Sequence, residues 1–350
     1  MRVAVVGAGI MGASTALALT DRGHSVTLLD QFEPGHRQGS SHGNSRIVRS
    51  AYPDPFYEEI MLDAYRHWSR LNERFGGGLH YESGLIYAGH RESINLRTMR
   101  DGLDALGAPY EVLLPADLQR VFPAFQLAAD EIAVYERRAG WVNAHVAVSA
   151  SVKMAESQGA QFVKTRIEDP GELLREFDAV CLCMGAWVKD HVAVDAEVIC
   201  QTFGYLDVDQ PDQHGPVWIE DYEHEIYGFP PEPGRNQIKF GVHSPGPTIH
   251  PDQRERPVTE EKIELLKDFA RRRLGVENPV IKEPTACLYT KTRDNDFRFG
   301  EVRPGMFYAS PCSGHGFKFG PWVGHLMADF VEQRKHPSDF PRFQVRSSQP

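Results

Sequence analysis

Short apolar runs that suit buried strands alternate along the chain with stretches whose apolar residues recur at helical spacing. Residues 3–6 form the first such run. Ala13, Ala16, Leu17 and Leu19 then mark the buried side of a helix beginning near Ile10 and stopping at Gly23, and residues 25–29 read as a second strand. Residues 56–75 carry Ile60, Met61, Ala64, Tyr65, Trp68 and Leu71 on one face, which predicts an amphipathic helix. Gly76, Gly77 and Gly78 end it and suggest a domain crossing. Beyond them the pattern predicts a strand over 84–88, helices over 93–106 and 116–121, a helix within 140–159, and strands over 161–164 and 177–185. Strand patterns at 202–208, 216–219, 225–229 and 237–242 are separated by Pro, Gly and acidic turns and suit an antiparallel sheet. A helix over 258–273, the segment 287–290, a strand at 306–310 and a helix over 322–331 lead to a polar, Pro-containing tail beyond Lys335, expected on the surface.

This order predicts an α/β plus α+β chain. A Rossmann-type dinucleotide-binding domain would take residues 1–78, 141–200 and 285–350, and a substrate domain on the antiparallel sheet would take 79–140 and 201–284. The first strand–turn–helix unit carries Gly7, Gly9 and Gly12 as G-x-G-x-x-G. The first glycine allows the tight turn, the second lets backbone approach a pyrophosphate, and the third lets helix and strand pack closely. Phosphates would sit on the free N–H groups of the helix that begins with Ile10 and Met11. Asp30, eighteen residues past the last glycine, is placed to accept hydrogen bonds from an adenosine ribose. The fingerprint implies FAD or NAD without choosing between them.

Composition narrows the partners. A formal net charge of −10 argues against nucleic acid, and no apolar run approaches the ~20 residues of a membrane span. No cleavage site follows the N-terminal apolar run, so a cytoplasmic location is expected. The five cysteines include no CxxC pair, which points away from a disulfide framework and from metal. Cys181 and Cys183 share one strand face and read as packing, as does Cys312 beside a Ser-Gly-His turn.

Six short motifs in order then resemble the FAD-dependent amine oxidases of the monomeric sarcosine oxidase and N-methyltryptophan oxidase type, within the D-amino-acid-oxidase-like flavoproteins. They are GAGIMG at the N-terminus, SHGNSRIVRSAY from Ser41 to Tyr52, YGFP from Tyr227, IKFGVH from Ile238, CLYT from Cys287 and SGHGFKF from Ser313. The resemblance implies FAD held by Gly7, Gly9, Ile10, Met11, Gly12, Asp30, Ser41, His42, Arg46, Gly185, Gly314, His315, Gly316 and Lys318. It implies a thioether from Cys287 to the 8α position of the flavin, so that the cofactor is covalent. Lys239 would activate dioxygen, with Arg46 beside the isoalloxazine. Arg49 and Lys318 would clamp the substrate carboxylate, and Tyr227, His243 and Tyr289 would line the substrate pocket. Fixed positive charge near a flavin favours the electron-rich state produced by hydride uptake. Cations around the substrate also favour its unprotonated amine, the form able to release a hydride, so no separate strong base is needed.

Two segments depart from the family pattern: 161–185 is short, and 293–300 carries Asn295, Asp296 and Arg298, of which Arg298 could meet a second acid on a longer substrate. The resulting expectation is a cytoplasmic, monomeric oxidase of a small secondary amine bearing a carboxylate, an N-substituted glycine or related amino acid. It would use O2 and release hydrogen peroxide and an imine that hydrolyses. A D-amino-acid or imino-acid dehydrogenase passing electrons to a quinone or protein, a non-catalytic FAD-binding subunit, and, from the opening fingerprint alone, an NAD-dependent dehydrogenase are the alternatives.

Overall fold

The computed structural model describes residues 1–209 and 215–345. A six-stranded sheet runs in the order Arg298–Arg303, Met306–Ser310, Ala179–Leu182, Arg2–Val6, Ser25–Asp30, Gln161–Lys164. It is parallel except for the antiparallel edge strand Arg298–Arg303. Parallel strands buried on both faces need apolar residues throughout, which explains the unbroken Val3–Val6 run, every residue of which is buried. The helices Ile10–Asp21, Pro55–Phe75, Ala144–Ser157 and Gly320–Val331 supply Leu17, Trp68, Val148 and Phe330 to the core on this sheet. Pro55–Phe75 ends on Gly76 in the left-handed region, as its sequence predicts, and starts on an Asp54 cap that the sequence reading does not name.

An eight-stranded sheet lies beside it, ordered Lys282–Thr292, Ala196–Asp207, Gln237–Val242, Ile226–Phe229, Val217–Glu220, Leu85–His90, Glu131–Glu136, Glu111–Leu113. Its pairings are antiparallel except Val217–Glu220 with Leu85–His90. A small sheet of Arg46–Val48, Gly140–Val142 and His80–Tyr81 joins the two regions. The predicted Rossmann-type sheet and antiparallel sheet are both present. The strands Glu111–Leu113, Glu131–Glu136, Lys282–Thr292, Arg298–Arg303 and those of the small sheet are additions to the sequence reading.

One expectation is sharpened and one corrected. The tail from Lys335 to Val345 lies mostly at the surface, as expected, and is anchored there: Phe343 is fully buried in the main core, and Arg342 bonds Asp54 and Asp296. The remaining tail positions, 346–350, lie outside the described residues. Arg298 meets no cavity; it is wholly buried, with Nε 2.7 Å from Asp195 and Nη2 3.0 Å from Asp294. A guanidinium occupied by two carboxylates has no free fork for a substrate acid.

Candidate active site

One elongated cavity of about 530 Å³ runs from the N-terminal glycine loop to the face of the antiparallel sheet. At its first end Gly7 has φ +102°, and a Cβ there would stand 2.3 Å from the Cys183 carbonyl oxygen, so only glycine makes this turn. The helix Ile10–Asp21 begins on Gly9, which offers no capping side chain, so first-turn N–H groups are available to an anion; Ile10 N–H donates to Ser41 Oγ at 3.1 Å. Asp30 Oδ2 accepts from Ala8 N–H at 2.6 Å and Oδ1 from Phe32 N–H at 2.8 Å. Those bonds hold the carboxylate at the cavity wall, with lone pairs to spare for a ribose. Gly12 is the exception among the expected cofactor residues, since it does not line the cavity. A Cβ on Gly12 would stand 1.7 Å from the Gly7 carbonyl oxygen, so its part is close packing under the loop.

Ile10, Met11, Ser41, His42 and Gly185 continue the wall towards the opposite end, where the motif residues from five separate parts of the chain converge. Lys239, on the Gln237–Val242 strand, is buried, its Nζ 3.3 Å from the backbone oxygen and the hydroxyl of Ser45. The rings of Phe203 and Phe229 lie 5.0 Å away on either count. Burial, reinforced by Arg46, lowers its pKa to about 7. Arg46 donates to the carbonyl oxygens of Ser45, Ser40 and His42 at 2.8, 2.9 and 2.6 Å, folding the Ser40–Ser45 loop around itself.

Arg49 and Lys318 form a second pair of cations. Arg49 is buried, donates to the Ala51 carbonyl oxygen and stands 3.8 Å over the Tyr52 ring. Lys318 Nζ is 2.8 Å from the Tyr52 hydroxyl and 2.9 Å from the His315 carbonyl oxygen, and burial together with Arg49 pushes its pKa well down. None of Lys239, Arg46, Arg49 and Lys318 makes an ion pair among the described residues. Like-charged groups held close together without ion pairs favour the arrival of an anion.

Tyr227, Tyr289 and His243 border the same space, and the His243 ring centroid is 5.5 Å from that of Tyr289. Burial lowers the pKa of His243. Gly314, His315 and Gly316 also line the cavity, and His315 is tied by Nδ1 to the Tyr52 hydroxyl at 3.3 Å and by Nε2 to the Asn295 carbonyl oxygen at 3.0 Å. Cys287 is buried at the wall with Sγ 3.6 Å from the Gln201 carbonyl oxygen; burial raises its pKa, and the nearby Arg46 and Lys239 act in the opposite direction. Cys312 lines the cavity too and its Sγ accepts from Thr290 N–H at 3.3 Å, a more exposed position than packing alone predicts. Cys181 and Cys183 are core residues as expected.

Tyr52, the last residue of the Ser41–Tyr52 motif, has no role assigned from sequence; it meets Arg49, Lys318 and His315. Two acids near the cations carry no motif signal. Glu225 lines the cavity, and its charge reaches both His243 and Lys318. Glu232, buried behind Lys239, accepts from Asn44 at 2.7 Å and from the Ser45 hydroxyl at 3.2 Å.

The family model described as FAD dependent oxidoreductase matches residues 2–330. The chain belongs to that family. As an FAD dependent oxidoreductase it is 29% identical to monomeric sarcosine oxidase of Streptomyces avermitilis, over 94% of this chain and 93% of that one. It is 30% identical to peroxisomal sarcosine oxidase of Mus musculus, over 92% and 90% of the two chains. It is 26% identical to N-methyl-L-tryptophan oxidase of Yersinia pestis, over 97% of each. Among solved structures, NikD, described as an unusual amino acid oxidase essential for nikkomycin biosynthesis, superposes with a TM-score of 0.82 at 20% identity over 99% of this chain and 98% of that one. Glycine oxidase from Geobacillus kaustophilus superposes with a TM-score of 0.80 at 21% identity over the whole of both chains, and these likenesses establish the fold. The cavity fits FAD: it starts at a glycine turn open to pyrophosphate, and the buried His42 Nε2 and Thr290 Oγ1 on its wall have no partner within the protein.

Proposed function

We propose that this FAD dependent oxidoreductase is an oxidase of secondary amines bearing a carboxylate, N-substituted glycines and related amino acids, and that it works as a cytoplasmic monomer. Among the described residues no helix is long and apolar enough to cross a membrane, and no group of His, Cys, Asp and Glu could hold a metal ion. The parallel-sheet region would bind FAD and the antiparallel sheet would supply the substrate side, with the strands Ala196–Asp207 and Lys282–Thr292 reaching across to the cofactor.

The observation that carries this reading is the side-by-side placement of Arg49 and Lys318, buried and without ion pairs among the described residues, in the cavity that begins at the glycine loop. Arg49 receives the substrate carboxylate as a fork and Lys318 as a point charge. The positive surroundings hold the substrate nitrogen unprotonated, while Tyr227, His243 and Tyr289 exclude water beside it. FAD, held by the glycine loop and the cavity wall, would supply a two-electron acceptor for the hydride from the α-carbon and a route for those electrons to O2, the products being hydrogen peroxide and an imine that hydrolyses. Lys239 and Arg46 fix positive charge where negative charge develops. Cys287 would present its thiol for a covalent bond to the cofactor; burial raises its pKa, and Arg46 and Lys239 offset part of that rise.

An aerobic peroxide assay across sarcosine, N-methyl amino acids, pipecolate, proline and longer N-carboxymethyl amines tests the proposal. Peroxide from at least one of these, and bleaching of the visible flavin bands by the same amine without oxygen, are expected. Peroxide from none of them, with unbleached flavin, refutes it.

A further inference from the structure

Glu136 ends the Glu131–Glu136 strand of the antiparallel sheet and is buried. It makes no ion pair among the described residues, and every close partner belongs to another element. Its Oε2 accepts from the backbone N–H of Ser50 and of Ala51, each at 2.9 Å. Its Oε1 accepts from the Ser50 hydroxyl at 2.5 Å and the Tyr65 hydroxyl at 2.9 Å. Buried carboxylates are rare and must be compensated. Here most of the compensation comes from the two residues that follow Arg49, and the Tyr65 hydroxyl supplies the rest.

The consequence reaches both cations of the anion site. Arg49 donates to the carbonyl oxygen of Ala51, so the loop pinned by Glu136 also anchors the guanidinium. Tyr52 comes next; its ring lies 3.8 Å under Arg49 and its hydroxyl 2.8 Å from Lys318 Nζ. We propose that Glu136 is the positioning residue of the carboxylate clamp, setting Arg49 through the Ser50–Ala51 backbone and Lys318 through Tyr52. This inference rests on the reading of Arg49 and Lys318 as the substrate-carboxylate site. Glu136 itself does not line the cavity and touches no substrate.

Glutamine is the informative replacement because its NH2 cannot accept. Turned with its NH2 at the Oε2 position, the amide faces the N–H groups of Ser50 and Ala51 donor to donor. Turned the other way it keeps an oxygen for them, but the charge and the second bond from Ser50 N–H at 3.1 Å are lost and both hydroxyls must reverse to accept, so either way the hold on the loop weakens. Displacement of a positioning group by about 1 Å costs up to ~10²-fold. In the flavin-loaded enzyme, acetate titrated against the visible flavin spectrum reads the clamp without chemistry. Glu136→Gln is expected to weaken acetate binding and raise KM for the amino-acid substrate by about 10- to 100-fold, with kcat at saturation within about 3-fold. Glu136→Asp, which keeps a carboxylate, should recover part of the loss. Oxidation of a secondary amine without a carboxylate should be affected far less. If Glu136→Gln loses its flavin or unfolds, Ser50→Ala, which deletes one donor, should move acetate binding the same way by a smaller factor.

Unchanged acetate binding and KM in Glu136→Gln, or in Ser50→Ala where that variant stands in, overturn the proposal. So does an equal loss for amines with and without a carboxylate, the mark of general damage. A wild-type enzyme whose flavin spectrum ignores acetate removes the clamp itself, and Glu136's role with it; an intact wild-type response that Glu136→Gln leaves alone removes only the role of Glu136.

Discussion

Replacement of Lys239 by methionine isolates the charge of the ammonium from its volume. Methionine fills the space between Phe203 and Phe229, each ring 5.0 Å from the native nitrogen, and gives up only the bonds to Ser45, both 3.3 Å long. An ammonium about 4 Å from a developing unit negative charge contributes ~4 kcal/mol at an effective dielectric of about 20. That sets a ceiling near a thousandfold, since each ~1.36 kcal/mol is tenfold in rate. Loss of one preorganised donor elsewhere costs ~10²–10³, in the same range. With a pKa of about 7, Lys239 is only half protonated at neutrality, a factor of about 2 that leaves the estimate standing. The assay is stopped-flow. Enzyme reduced by an amine without oxygen is mixed with oxygenated buffer, and the return of the visible absorbance is timed. Lys239→Met should slow that return by ~10²–10³ while slowing anaerobic reduction much less. The wild-type rate should fall as pH rises, because the ammonium is the charged form below its pKa; the midpoint should lie at or above about 7, since negative charge on the reduced cofactor favours the ammonium. The variant should show no such limb. Reoxidation within about 3-fold of wild type, or a wild-type rate that climbs with pH, refutes the reasoning.

Cys287→Ala should bind FAD yet release all its yellow colour on acid precipitation, whereas wild-type colour should stay in the pellet; colour lost equally from both rules out the thioether. The stacked pair His67 and His325, with ring centroids 4.1 Å apart, joins the helices Pro55–Phe75 and Gly320–Val331. Burial, with His67 beside it, holds His325 at a pKa of about 4, below its unfolded value of 6.5. As pH falls the unfolded chain takes up that proton first, so stability is complete above about 6.5 and declines between 6.5 and about 4. One such group is worth at most ~1.4 kcal/mol per pH unit, and about 1–2 kcal/mol in all after discounting for partial exposure. His325→Gln should flatten this part of the acid limb in melts from pH 8 to 4.5. His42 and His80, depressed in the same direction, remain in both proteins. Superimposable limbs would remove the assignment.

Local chemistry made much of the molecule readable. The glycine turn, the Val3–Val6 strand and the helix Pro55–Phe75 follow from constraints only a few residues long, and each motif keeps its shape where it stands. Acids that act over distance were the harder part. EIAVYE at Glu131–Glu136 does not read as a buried strand, because both glutamates suggest solvent. Both are buried: Glu131 pairs with Arg273, and Glu136 meets Ser50 across 86 positions. Glu232 reaches Asn44 across 188 positions. Arg298 shows the converse, a cation in a pocket-side segment whose nearby Asp195 and Asp294 decide its role. Hydrophobic periodicity carries no information about such pairings. The two- and three-residue strands His80–Tyr81, Arg46–Val48 and Gly140–Val142 are likewise too short to show a period.

The same distances explain why the cavity keeps its charge in a chain whose net charge is −10. Acids are plentiful, yet the groups arranged around the cations are mostly neutral: two phenyl rings and Ser45 for Lys239, carbonyl oxygens for Arg46, Ala51 and the Tyr52 ring for Arg49, the Tyr52 hydroxyl for Lys318. Dipoles and ring faces orient a buried cation without neutralising it. Glu136 and Glu232 hold the loops that carry the cations rather than pairing with them. Burial without a counter-ion costs stability, as the lowered pKa values of Lys239 and Lys318 record. Under the proposed function that cost would be offset by anions from outside the chain: a pyrophosphate at the glycine turn, the electron-rich reduced cofactor near Lys239, and a substrate carboxylate at Arg49 and Lys318.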